Sequence, residues 1–248
     1  SKKFIEQPAF ELQHIYRALE VIAKETESIQ ASLYANSLKY SARDTRVLYY
    51  DCTNYFFEIE QEEGLKQYGI SKEHRPNPIV QMGLFMDGNG IPLAFNINKG
   101  NTNEQGTMKP LEKKILSDFN LSKFIVCTDA GLASEDNRRF NDRGERAFIT
   151  TQSIKKLKAH LKEWALDPKG WLSPTTQKTY DISKLDEEKY KDTTFFKERW
   201  IKENDFEQRL IVTYSIKYRD YQRTIRNSQI ERAQKLIKGN LVKLKKAN

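Results

Sequence analysis

Arg46–Glu60, RVLYYDCTNYFFEIE, is the stretch on which the fold of this chain turns. Val47 to Cys52 is a run of β-branched and aromatic residues that ends abruptly in one carboxylate, Asp51, with Cys52, Thr53 and Asn54 reading as a turn. Such a run predicts a buried central strand that carries an acid to the edge of a sheet. Tyr55 to Glu60 follows at once and alternates large apolar with polar residues, which predicts a second strand and a hairpin. A strand-end Asp standing alone is more often a turn former than a reactive group.

Working outward, Pro8 to Tyr40 has helical spacing: Ile15, Leu19 and Ile22 recur at three and four, and a second helix is expected over Ile29 to Leu38. Both are expected to pack beside the sheet. Ile79 to Met86, then Asp87-Gly88-Asn89-Gly90, then Ile91 to Ile97 is a strand, a tight turn and a strand. Thr107 is a candidate N-cap for a helix to about Phe119. Phe124 to Thr128 is a second apolar run closed by one acid, Asp129, in TDAG. A helix over Leu132 to Asn141 with Ser134 as its cap, and a strand over Ala147 to Thr151, add a βαβ rhythm that predicts parallel pairing. The sheet is therefore expected to be mixed, antiparallel first and parallel afterwards.

The expected division is a helical segment over 1–45, the first part of a core over 46–152, an inserted subdomain over 153–208, and a final piece over 209–248 that completes the core. Within the insertion, Ile154 to Trp164 reads as a basic helix and Thr193 to Ile201 as a strand. Trp164, Trp171 and Trp200 are assigned mainly to packing, with stacking on nucleobases as the alternative. In the final piece, Arg209 to Lys217 is expected to return to the main sheet, and Tyr218 to Lys238 is a long helix with Ile230, Ala233 and Ile237 on one stripe.

The 248 residues carry 42 Lys+Arg against 34 Asp+Glu, a net charge of +8 with a pI of about 9.2. That balance favours a polyanionic partner. Ile216 to Asn248 holds ten basic residues and two acids, so the local net is also +8. Cys52 and Cys127 have neither zinc-site spacing nor disulfide-scaffold density, and no apolar stretch approaches a membrane span, so a soluble protein of a reducing compartment is expected. The chain opens at Ser1 rather than Met, which leaves further domains open.

Glu231 is the single acid between Tyr221 and Asn248, and Lys235 and Lys238 follow it at i+4 and i+7. A solvated ion pair accounts for that spacing; so does a metal ligand facing a phosphodiester. Magnesium takes hard oxygens and commonly one or two carboxylates per ion, leaving positions for water and phosphate. Asp51 and Asp129 meet if their strands are adjacent and parallel, and Glu231 makes a third carboxylate, 78 (129 minus 51) and 102 (231 minus 129) residues apart in sequence.

The order DCTN (Asp51–Asn54), KGNTNE (Lys99–Glu104), TDAG (Thr128–Gly131) and YQRTIRNSQIERAQKLIK (Tyr221–Lys238) resembles the DDE transposases of bacterial insertion sequences. The similarity is greatest to the branch whose RNase H-like core is interrupted by a β-rich insertion before the catalytic Glu, and it spans about Tyr16 to Lys238. The resemblance implies an α/β fold with an RNase H-like mixed sheet flanked by helices. It further implies that Asp51, Asp129 and Glu231 are catalytic and hold two Mg²⁺, with Mn²⁺ as a substitute. The reaction implied is cutting of double-stranded DNA at element ends and joining of the 3′-hydroxyl to target DNA. A homodimer in the DNA complex and a bacterial, nucleoid-associated cytoplasmic location are implied with it. The branch also places a Tyr, an Arg and a Lys around the Glu against DNA. Lys238 stands where that Lys is expected, whereas the expected Tyr and Arg positions hold Thr224 and Asn227, with Tyr221, Arg226 and Lys235 nearby. An RNase H-like nuclease without strand transfer, and an inactive transposase-derived DNA-binding protein, are the alternatives.

Overall fold

In the computed structural model, which describes residues 9–176 and 178–238, the opening stretch is one uninterrupted strand, β1 (Val47–Phe56), and not a hairpin. The expected turn at Cys52-Thr53-Asn54 is absent because β2 (Ile79–Met86) runs antiparallel beside it without a break, from Tyr49 opposite Met86 to Phe56 opposite Ile79. Side chains alternate throughout: Leu48, Tyr50 and Cys52 are buried, while Tyr49, Asp51 and Thr53 are exposed. Asp51 is consequently a mid-strand residue on the exposed face.

After the turn at Asp87–Gly90, β3 (Pro92–Lys99) pairs antiparallel with β2, with a bulge at Phe85/Met86. Gly90 has φ +75°, a conformation that costs glycine little. On the other side of β1 come β4 (Ile125–Thr128) and β5 (Ala147–Thr150), both parallel. The order β3-β2-β1-β4-β5 is the mixed sheet the sequence leads one to expect.

Helices α1 (Leu12–Lys24) and α2 (Thr26–Ser37) precede the sheet, α3 (Met108–Asp118) joins β3 to β4, and α4 (Glu135–Asn141) joins β4 to β5. Ser134 caps α4 by accepting from the Asn137 amide, as expected. Thr107 does not cap α3. Its hydroxyl bonds the Tyr50 hydroxyl at 2.7 Å and the Glu104 carbonyl at 2.7 Å instead. The core joins Tyr34 of α2 and Met108, Leu111 and Ile115 of α3 to Leu48, Tyr50, Phe85 and Val126 of the sheet. Full burial of side chains of this size is worth about 1.5–3 kcal/mol each. α1 buries none of its residues, so only α2 takes the expected place beside the sheet.

The chain divides into two compact units between Ser153 and Ile154. In the second, α5 (Ala159–Leu166) precedes a four-stranded antiparallel sheet of order β7-β6-β8-β9, formed by β6 (Trp171–Leu172), β7 (Thr179–Tyr180), β8 (Thr194–Glu203) and β9 (Phe206–Ser215). Phe195, at 5.1 Å from the Tyr180 ring and 5.7 Å from that of Tyr190, sits at the centre of its core with Trp171 and Val212. The expected return of Arg209–Lys217 to the first sheet does not occur. β9 pairs with β8 along its whole length, from Thr194 opposite Ser215 to Glu203 opposite Phe206. The cause is local: Asn204 and Asp205 have φ +49° and +58°, the two-residue type I′ geometry that folds one strand directly onto the next. From β9 the chain enters α6 (Ile216–Lys238), 23 residues long.

Candidate active site

Asp51 and Asp129 come from neighbouring parallel strands. The β1–β4 pairing consists of Val47 opposite Ile125, Leu48 opposite Val126 and Tyr49 opposite Cys127. Two residues further along each chain stand Asp51 and Asp129, so continuing the register puts them level. Neighbouring strands run about 4.8 Å apart, and the two acids leave the last paired rung side by side, both exposed.

Each carboxylate is anchored differently. Asp129 Oδ1 accepts from the backbone amides of Gly131 at 3.0 Å and Leu132 at 3.2 Å, and its own carbonyl accepts from the Thr150 hydroxyl at 3.1 Å. The turn that follows β4 thereby fixes the side chain by one oxygen. Asp51 Oδ1 accepts from the Cys52 amide at 2.8 Å and lies 3.7 Å from Lys72 Nζ. Beneath it, on the buried face, Cys52 Sγ lies 3.3 Å from Thr107 Oγ1 and 3.5 Å from the Tyr50 hydroxyl. Burial pushes both the Tyr50 hydroxyl and the Cys52 thiol up, so the floor under Asp51 is neutral. Cys52 is a buried free thiol, and Cys127 is half-buried.

Glu231, Lys235, Arg226 and Tyr221 all lie on α6 in the second unit and are exposed. Lys238 ends α6, and its side chain is outside the described residues. The Tyr221 ring lies 6.2 Å from that of Tyr218. Among the described residues no group of three or more His, Cys, Asp or Glu stands together as a metal site. What the first unit brings together is a pair of carboxylates, a donor set of hard oxygens that suits Mg²⁺, which needs only one or two of them.

Sequence reading passed over Lys72. It sits in Gly69–Pro78, GISKEHRPNP, where Gly, Pro and mixed charge indicate only a loop, and no spacing ties it to Asp51. Of the three tryptophans, Trp171 is 3% exposed and packs, whereas Trp200 is 65% exposed on β8 beside Lys158, His160, Arg199 and Lys202 around a cavity of about 220 Å³. No helix among the described residues is long and apolar enough to cross a membrane.

No family model matches this chain, and no curated protein matches it. Among solved structures it is similar to a chain described as "Mos1 transposase paired-end complex with left transposon end", at 13% identity and a TM-score of 0.29, over 51% of this chain and 40% of that one. The chain thus spans about two fifths of the length of the solved chain it matches.

Proposed function

We propose that this chain is a DDE transposase with an RNase H-like core, cutting double-stranded DNA at the ends of a mobile element and joining the 3′-hydroxyl ends to target DNA. The observation that carries the reading is the placement of Asp51 and Asp129 level with each other at the end of the β1–β4 pairing. Two Mg²⁺, or Mn²⁺ in their place, would be held by Asp51, Asp129 and Glu231, and when bound supply an activated water or hydroxyl and stabilise the leaving oxygen. The protein's own part is to hold Asp129 by its two backbone amides, to present Asp51 on the exposed face of β1, and to carry Glu231 on α6. Tyr221, Arg226, Lys235 and Lys238 on that helix face the phosphate backbone, whose contacts position DNA without reading its sequence. Pairing two element ends calls for a homodimer in the DNA complex, and the setting is the bacterial nucleoid.

The test is divalent-metal-dependent nicking of a supercoiled plasmid by the wild type, Asp51→Asn, Asp129→Asn and Glu231→Gln. All three variants are expected to lose activity while keeping their melting temperatures and DNA affinity. Nicking that survives Asp51→Asn sinks the assignment. Joining of a labelled 3′-hydroxyl end to a plasmid separates a transposase from a nuclease of the same core.

A further inference from the structure

Lys72 is placed with more care than an exposed lysine of a surface loop. Its backbone amide donates to Asn54 Oδ1 at 3.3 Å, and Asn54 Nδ2 donates to the Ile70 carbonyl at 3.3 Å, so two side-chain bonds stitch the loop to β1 three residues beyond Asp51. Ser71, buried, accepts from the Glu73 amide at 3.2 Å, and its carbonyl accepts from the His74 amide at 3.1 Å, closing a turn in which His74 takes φ +56°. Behind the turn, a Cβ on Gly69 would stand 2.0 Å from the Gly100 carbonyl oxygen, so the loop is packed backbone against backbone. Arg75, at the loop's far side, covers the Phe56 ring at 4.1 Å.

The ammonium itself has two partners. Nζ donates to the Cys52 carbonyl and lies 3.7 Å from Asp51 Oδ1. The carboxylate contact is long and half-exposed, and exposed ion pairs of this kind contribute about 0–1 kcal/mol. Neutralising Asp51 is therefore a small return for such a built turn. The carbonyl contact is independent of Asp51's charge and keeps the ammonium in place when the carboxylate is engaged elsewhere. An ammonium has three donors; the Lys72 side chain is 47% exposed, so one can face solvent.

On the catalytic reading given above, we propose that Lys72 binds a non-bridging oxygen of the phosphodiester on which the Asp51–Asp129 pair acts. Lysine is a point-charge phosphate binder, and this one is anchored one residue from the acid, on the exposed side of the sheet.

Lys72→Met, Lys72→Gln and Lys72→Arg are compared with Asp51→Asn and the wild type in two assays. One is binding of a labelled 40-base-pair duplex in Ca²⁺ as salt is varied, and the other is single-turnover nicking of a supercoiled plasmid in Mn²⁺. Expected for Lys72→Met are a salt slope reduced by about one, at least tenfold slower nicking, and partial recovery in Lys72→Arg. Lys72→Gln keeps a donor for the Cys52 carbonyl and gives the deciding values if Lys72→Met melts early. Wild-type nicking and an unchanged salt slope in the Met or Gln variant, with Asp51→Asn inactive, overturn the role of Lys72 and leave the transposase reading standing. Equal losses in the Arg and Met variants with an unchanged slope overturn it in favour of a structural role. A wild type that never nicks removes the catalytic reading, and this inference with it.

Discussion

The pairing of Glu112 with Arg146 gives a pH dependence that can be worked through to a number. Glu112, on α3, is fully buried, and its Oε1 accepts from Arg146 Nη1 at 2.6 Å. Arg146 also donates to the Phe140 carbonyl at 2.8 Å, so the pair ties α3 to the end of α4 and the entry to β5, beside the strand that leads to Asp129. Among the described residues Glu112 Oε2 has no hydrogen-bond partner. Burial pushes the carboxyl up to about 7, against the lowering effect of Arg146. A carboxyl that holds its proton more tightly in the folded chain than in the unfolded one, where its ordinary value is 4.5, contributes its stabilisation at low pH. That contribution is fully present below pH 4.5 and is lost as pH rises through about 7. At 1.36 kcal/mol per pH unit, the loss between about pH 5 and pH 8 comes to about 2.5 kcal/mol. Glu112→Gln retains an acceptor for Arg146 and cannot titrate. The assay is urea unfolding of both proteins from pH 5 to 8, taking the difference so that every other titrating group cancels. The wild type's stability relative to Glu112→Gln should fall by about 2–3 kcal/mol across that range. A difference that is flat, or that grows with pH, means that Arg146 keeps Glu112 ionised throughout and refutes the reasoning.

Other substitutions probe the remaining parts of the structure. Asp87→Asn removes the charge opposite Arg43, both side chains being buried, and should cost about 3–5 kcal/mol in urea unfolding. Gly131→Ala puts a Cβ 3.3 Å from Asp129 Oδ1; on the proposed role of Asp129, metal-dependent nicking should fall roughly tenfold with little change in melting temperature, because small displacements of a reacting group are costly. Phe195→Ala empties the centre of the second unit's core and should cost that unit about 3–5 kcal/mol, read from the near-ultraviolet signal of the neighbouring Trp171. Arg226→Gln and Lys235→Gln on α6 should each lower the slope of log DNA affinity against log salt by about one, with no change in sequence preference.

Most elements were legible because their signal is local. Ile79–Met86, the Asp87–Gly90 turn and the α4 cap at Ser134 each follow from a few adjacent residues, and the structure places them where the spacing does. The errors fall where local chemistry has two outcomes. Cys52-Thr53-Asn54 has turn composition, but Cys52 fits the core beside Tyr50 and Thr107, and a partner strand lies opposite every residue from Tyr49 to Phe56. Tertiary pairing overrides the turn preference there. Arg209–Lys217 is a strand by its alternation, and alternation says nothing about which sheet it joins. The deciding signal was Asn204-Asp205 just upstream, a pair suited to left-handed φ at both positions. Lys72 left no trace of its own, since what makes it notable is a contact between residues twenty apart in a loop of ordinary composition.

The single strand β1 puts Asp51 in a different setting from the hairpin expected from the sequence. A strand that ended at Asp51 would leave the acid on a mobile turn. A ten-residue strand pairing with β4 only as far as Tyr49 keeps Asp51 on rigid backbone, held on one side by β2, while the other edge stands clear of β4 from Tyr50 onward. Unpaired strand edges invite association and are normally blunted. Here Asn54 and Lys72 blunt it, bonding the Gly69–Pro78 loop to β1. The same contacts that stop a further strand from adding at this edge set a cation beside Asp51, on the side from which Asp129 emerges. Lengthening β4 to pair past Tyr49 would protect the edge as well, but it would continue the backbone through the place where Asp129 turns out of the sheet. The mismatch in strand length, ten residues against four, is what leaves room for the proposed site.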